Sequence, residues 1–179
     1  MAKQAHGIDI ELNAALALAL TGETQIAQKL ADDLEHTHPN DTIMKVVSVP
    51  MVRATISLQR GNPHQALELL KISEPYELGT GLYYFPALMP TYVRGQAYLK
   101  IRDGPKAATE FRKILDHRGS GPTSLNFALA ELGLAQANAL VGDVAKARTA
   151  YQDFLVLWKD ADPDIPILKQ AKAEYAKLQ

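Results

Sequence analysis

The sequence predicts an all-α chain built as a solenoid, about four helix pairs in series followed by one closing helix. Three observations predict it. Ala27, Ala66, Ala107 and Ala147 recur at a spacing of about forty residues. Twelve residues before each of them stands another very small residue: Ala15, Ala54, Gly95 and Ala135. Four residues after each stands Ala31, Leu70, Phe111 or Tyr151. A period of this length is that of a two-helix unit, which cannot bury its apolar face alone and stacks on copies of itself. Small residues let the two helices of a unit approach closely, and the bulkier residue four positions on fills the gap to the next unit.

Residues 1–7 precede the first unit and are expected to be extended or disordered. The units are expected at about 8–39, 41–74, 83–118 and 124–161. Gly22, Gly61 and Gly142 mark the turn inside units one, two and four. Unit three carries Arg102-Asp103-Gly104-Pro105 instead, so its turn is expected two residues later, at Gly104. Helix-start chemistry follows these turns. Asn62 and Asp143 suit an N-cap, and Pro63 and Pro105 suit a first helical turn, where the missing N–H costs nothing. Pro50 and Pro90 fall inside the first helices of units two and three, where a kink or a delayed start is expected in both alike. Turn-rich stretches join the units: His38-Pro39-Asn40-Asp41, Gly79-Thr80-Gly81, Gly119-Ser120-Gly121-Pro122 and Asp162-Pro163-Asp164. A last helix over 165–179 places Ile165, Leu168, Ala171, Tyr175 and Leu178 on one face and charges on the other, which suits the sealed end of a solenoid with Trp158 beneath. The first helix has no such seal: Ala14, Ala15, Leu16, Leu18 and Leu20 run around much of it, so association of a second copy through this end is a competing expectation.

Composition narrows the function. Apolar residues make up 47% of the 179 positions, enough for a continuous core, and the net charge is −1 with both signs interspersed. That gives no basic footprint for nucleic acid and no polybasic patch for a membrane surface. The chain has no cysteine, which excludes disulfides and thiolate metal sites. The most apolar stretch, 14–20, is far shorter than the roughly 20 residues a membrane span needs. Asp9, Glu11 and Asn13 crowd its approach, against a signal-peptide core.

The pattern resembles the tetratricopeptide repeat, whose signature is a small residue, an aromatic three later, an alanine twelve after the first, and an aromatic four beyond. Unit three matches best, with Gly95, Tyr98, Ala107 and Phe111. Unit four has Ala135, Ala147 and Tyr151, with Asn138 in the aromatic slot; unit two has Ser57 there, and unit one Leu18. The period is nearer forty than the family's usual thirty-four. The stretches Tyr92-Val93-Arg94-Gly95-Gln96-Ala97-Tyr98-Leu99, Phe111 through Gly119, and Tyr151 through Pro166 resemble the C-terminal repeats of bacterial, especially acidobacterial, serine/threonine protein kinases and related membrane-tethered regulators. The resemblance implies a right-handed α-α superhelix used as an accessory module of a signalling protein. It places that module in the cytoplasm, or outside it on a membrane-tethered parent. It does not bring the kinase: Asp116-His117-Arg118 has the wrong order for the catalytic triplet, and Asp153-Phe154-Leu155 lacks its glycine.

Other constellations read as structure. His36 and His38 are two apart rather than four, the wrong spacing for two metal ligands on a helix, and His117 reads as a helix C-terminus. Asp160, Asp162 and Asp164 alternate like the opening of a calcium loop, but Pro163 interrupts and no glutamate closes it, so a capped turn is expected. Tyr83, Tyr84 and Phe85 are expected to pack between helices with part of one tyrosine exposed. No nucleophile, base and orienting group can be assembled, so no catalytic, cofactor-binding or metal-binding residue is expected.

The resemblance implies a concave groove lined by the first helices. The residues beside the packing face that would line it are Ser48, Thr55 and Gln59 in unit two, Tyr84, Tyr92, Gln96 and Lys100 in or near unit three, and Gln136 in unit four. An aromatic and amide-rich lining suits an extended peptide or a partner helix. A protein or peptide ligand is therefore the expected partner, with a self-assembly role and a small-molecule sensor around Tyr84, Tyr92 and Gln96 as alternatives.

Overall fold

The computed structural model of the chain describes residues 2–79, 88–120 and 125–179. Among the described residues nine α-helices form and no strand: α1 (Ala2–Thr21), α2 (Thr24–Thr37), α3 (Val49–Gln59), α4 (Pro63–Leu70), α5 (Met89–Lys100), α6 (Gly104–Asp116), α7 (Asn126–Leu140), α8 (Val144–Leu157) and α9 (Pro166–Ala176). Each odd helix packs on the even helix after it, and each even helix on the next odd one. The odd helices also touch in series, α1 with α3, α3 with α5 and α5 with α7. The even helices meet one another at most marginally.

The alanine register explains this packing. Ala15, Ala27, Ala54, Ala66, Ala107, Ala135 and Ala147 are all fully buried. With only a methyl group at these positions, helix axes can approach and the next residue type decides what fills the seam. The clearest case is Phe111, fully buried on α6. A Cβ added to Gly95 on α5 would lie 2.7 Å from its ring, and one added to Gly133 on α7 would lie 2.4 Å from it. Phe111 therefore occupies the seam between two units, and two glycines flank it.

Four intra-unit turns share one backbone hydrogen-bond pattern. In each, the first N–H reaches back three residues and the next reaches back five: Gly61 to Leu58 and Asn62 to Ser57; Arg102 to Leu99 and Asp103 to Tyr98; Gly142 to Ala139 and Asp143 to Asn138. The same pattern joins Gly22 to Ala19 and Glu23 to Leu18. This is a Schellman-type C-terminus, which requires positive φ at its turning residue. Gly22, Gly61 and Gly142 supply it, with φ of 92°, 76° and 79°. The expected two-residue shift in unit three does not occur: Arg102 takes the glycine position in register, at φ 62°. Gly104 serves packing instead, since a Cβ there would meet Val141 Cγ1 at 2.5 Å and the Ala137 carbonyl at 3.0 Å.

Helix starts follow the sequence only in part. Asp103 and Asp143 each accept the backbone N–H three residues on, from Lys106 at 3.2 Å and Lys146 at 3.1 Å. Asn62 stands at the N-cap of α4 but its side chain makes no cap hydrogen bond; Pro63 starts the helix. The two awkward prolines are accommodated differently, not alike. Pro50 sits in the first turn of α3, directly after a π-turn at Met44–Ser48. Pro90 sits in the first turn of α5, after Leu88 in the left-handed region at φ 60°. At the start of the chain, α1 reaches back to Ala2 into the stretch expected to be extended or disordered. Its residues Ala2, Lys3, Gln4 and Ala5 are all good helix formers.

The closing helix packs as its pattern implies. Leu168 and Ala171 are buried, and Ile165, Tyr175, Leu178 and Trp158 pack against the same cluster, with Trp158 stacked on Phe154 at 5.1 Å between ring centroids. Tyr151 donates its hydroxyl to Glu174 at 2.9 Å, and Arg148 donates to the Leu178 carbonyl, placing a cation at the C-terminal end of α9. The turn before α9 is braced by Asp162, whose carboxylate accepts the Asp164 N–H at 2.8 Å. His117, the C-cap of α6, donates from Nδ1 to the Lys113 carbonyl at 2.7 Å. At the opposite end of the chain Ile10, Leu20 and Ile26 are exposed. No described helix is long and apolar enough to cross a membrane.

Candidate functional site

Where α1, α3 and α5 lie side by side they leave a pocket of about 270 Å³, bounded by Leu20 on α1, Thr55 and Gln59 on α3, and Tyr92, Gln96 and Lys100 on α5. Five of the eight residues singled out from the sequence thus share one depression. Helical periodicity brings them there: Thr55 and Gln59 are four apart, and Tyr92, Gln96 and Lys100 follow at the same interval, so each set forms one stripe.

Each side chain has a defined state. Gln59 is exposed and donates to the Leu20 carbonyl at 3.0 Å, satisfying one acceptor at the C-terminal end of α1. Thr55 is buried, and its hydroxyl donates to the Met51 carbonyl at 2.9 Å, so it offers the pocket its methyl group rather than its oxygen. Tyr92 is half-buried, with its ring tilted 60° against Phe111 at 6.0 Å. Burial pushes its phenol up to about 12, and a hydrogen bond with Gln96 only partly opposes this, so the hydroxyl stays protonated at neutral pH. Lys100, in the last turn of α5, is exposed and makes no ion pair among the described residues. The pocket therefore presents an aromatic face, two amides and one uncompensated positive charge.

Three sequence candidates do not join them. Ser48 is fully buried in the π-turn before α3, and its hydroxyl has no hydrogen-bond partner, so it cannot line a groove. The π-turn rotates it inward, which a plain helical register did not anticipate. Gln136 lies elsewhere, donating to Glu174 of the closing helix at 3.0 Å beside Tyr151. Tyr84, with Tyr83 and Phe85, lies outside the described residues.

A buried charge cluster escaped the sequence reading. Glu77, whose side chain is wholly buried, receives both guanidinium nitrogens of Arg94, at 2.5 and 2.9 Å, together with the Thr91 hydroxyl at 2.9 Å and Lys113 Nζ at 2.7 Å. Arg94 also reaches Glu110 at 2.8 Å. Burial works against a charged Glu77, but Arg94 and Lys113 outweigh it and hold the carboxyl below its ordinary value. The cluster fastens the chain leaving the 3-10 turn Lys71–Tyr76 onto α5 and α6. One signal was present: Arg94 is a lone charge between buried Val93 and Gly95. Its partner lies 17 residues earlier, in a segment without periodicity, so nothing local pointed to it.

Comparison of the chain with known protein families, with curated proteins and with solved structures gives no match.

Proposed function

We propose that this chain is a non-catalytic scaffold of the tetratricopeptide kind, a right-handed superhelix that holds a peptide or a helix of a protein partner against its odd helices. In this reading it serves a signalling protein as an accessory module. The observation that carries the proposal is the pocket formed jointly by α1, α3 and α5, with Tyr92, Gln59, Gln96 and Lys100 at its surface. Odd helices that pack in series while even helices meet at most marginally suit a curved stack whose odd face is the inner one. Four turns of one hydrogen-bond pattern suit a repeat. An extended peptide needs donors and acceptors along its backbone, which the two amides supply, and an apolar anchor, which the Tyr92 ring supplies. Lys100 biases the choice toward a peptide with a carboxylate at that end.

The test is selection from a displayed library of random peptides on the folded chain, repeated with a Gln59→Ala, Gln96→Ala, Lys100→Glu variant. These positions are surface-facing, so the variant should melt like the wild type. The expected result is a family of acidic peptides that bind the wild type and lose at least about tenfold affinity on the variant. Peptides retained equally by both would remove the pocket from the binding surface.

A further inference from the structure

Units three and four share one frame, offset by forty residues: Asp103 and Asp143 cap, Lys106 and Lys146 pair back to them at 3.0 and 2.6 Å, and Phe111 and Tyr151 fill the seams. Within that frame one position differs in kind. In unit three Tyr98 packs against the core and Lys106 Nζ stands 5.5 Å from its ring centroid. In unit four the same position is Asn138. The ring is gone, and a cleft of about 330 Å³ opens between α6, α7 and α8, bordered by Asn138 and Lys146. Its size is at the lower end of the roughly 300–1,000 Å³ of small-molecule sites. Asn138 is only 5% exposed, yet its side-chain amide finds no partner among the described residues. Among the described residues the one side-chain polar atom sealed from solvent without a partner is Ser48 Oγ, so the Asn138 amide reaches the open cleft and is free to pair with a group bound there.

The two units also differ in what enters the cleft from the preceding connection. In unit three Glu77 is inserted onto Thr91, Arg94 and Lys113 and closes the space. Their counterparts forty residues on are Glu131, Leu134 and Asp153, all three bordering the open cleft. The charge preference is reversed there: the connection delivers Arg118, which pairs with Glu131 but is half exposed and leaves the cleft open. Two opposite charges on its rim, Arg112 on α6 and Asp153 on α8, make no ion pair among the described residues. Burial pushes the Glu131 carboxyl up, Arg118 pulls it back, and the charge of Asp153 adds a further upward push, so Asp153 acts on the interior of this cleft and not only on solvent.

We propose that the cleft between α6, α7 and α8 is a binding site for a free aromatic amino acid, whose ring takes the place that Tyr98 fills one repeat earlier. The ring lies beside the Lys146 ammonium as Tyr98 lies beside Lys106, a cation–π arrangement. The Asn138 amide meets the polar edge of the ring, a phenol hydroxyl or an indole N–H. Asp153 takes the ammonium group of the zwitterion and Arg112 its carboxylate, so both rim charges are matched. This site is separate from the pocket on the odd helices and does not depend on the peptide-binding reading.

The test is titration of the isotope-labelled full chain, followed by amide NMR, with L-tyrosine, L-phenylalanine and L-tryptophan to millimolar concentration. Shifts confined to residues around Glu131, Asn138, Lys146 and Asp153 are expected for at least one of them. N-acetyl-L-tyrosinamide keeps the ring but lacks both charges and stands for a tyrosine within a peptide; it should bind at least about tenfold more weakly. Asn138→Tyr fills the cleft from inside and should abolish the shifts while the melting temperature is unchanged or higher. Arg112→Glu and Asp153→Lys alter only the rim and should each weaken binding without affecting folding. No shift with any of the three amino acids, or equal binding by Asn138→Tyr, would overturn the site. Equal binding of the N-acetyl amide would overturn the assignment to a free amino acid.

Discussion

Alanine in place of Gly133 should destabilise this chain, against the ordinary expectation for a helix. Within α7 the substitution is favoured by about 0.8–1.0 kcal/mol, because glycine has more backbone entropy to lose. The new Cβ, however, would lie 2.4, 2.5 and 2.7 Å from three atoms of the Phe111 ring. Ordinary contact needs at least about 3.4 Å, so the ring must move by roughly 1 Å. It has little room to go: Phe111 is fully buried, and the backbone of Gly95 on α5 also packs on the ring, so closely that a Cβ there would lie 2.7 Å from it. Overpacking costs about 1–3 kcal/mol, and a ring confined from two sides belongs at the upper end. The net loss is then about 2 kcal/mol, a fall in melting temperature of about 4–8 °C for a chain of this size. Thermal and urea denaturation of Gly133→Ala measure it directly. Adding Phe111→Leu should make the pair less damaging than the sum of the single changes, because both act on one seam. A Gly133→Ala variant that melts at or above the wild type would refute the argument and leave Gly133 as a residue without a packing role.

Three further outcomes follow from the turn and the buried charges. Arg102→Gly should stabilise by about 1 kcal/mol, since a left-handed backbone at φ 62° is strained for arginine and free for glycine, as the other three turns attest; an unchanged urea midpoint would count against it. Arg94→Met should cost about 3–5 kcal/mol by leaving Glu77 buried without its main partner, and Glu77→Gln in the same chain should restore part of the loss. Because Arg94 and Lys113 hold Glu77 below its usual 4.5, its ionisation contributes stability above that pH and the contribution disappears as pH falls through the lowered value. Acid titration of Glu77→Gln should accordingly show a flatter decline below about pH 4.5 than the wild type, and superimposable curves would argue that the cluster carries no net charge stabilisation.

Much of the frame was legible because it depends on local spacing. The buried alanines, the glycine turns, the Asp143 cap and the sealing face of α9 all sit where periodicity places them. The stripe on α3 and α5 that lines the pocket was legible for the same reason, since residues four apart share a helix face. Failures occurred where the chain departs from regular helix. A π-turn at Met44–Ser48 moved Ser48 from groove to core. Arg102 occupies a position that the other units assign to glycine, so spacing alone points to Gly104 for the turn in unit three.

The sequence alone determined that the chain is helical, that its helices pair, and where three of the four pairs turn, because those features need only backbone preference and the repeat of apolar positions. Tertiary structure alone decided which seams are filled and which stay open. Phe111 completes its seam because Gly95 and Gly133 come from two different helices, and Glu77 closes unit three because three partners converge on it from α5 and α6. Unit four lacks both the ring and the inserted carboxylate, and its cleft stays open. Spacing along one helix cannot reveal this, because a cavity is a property of atoms brought together by several segments, and its existence depends on what each of them leaves unfilled.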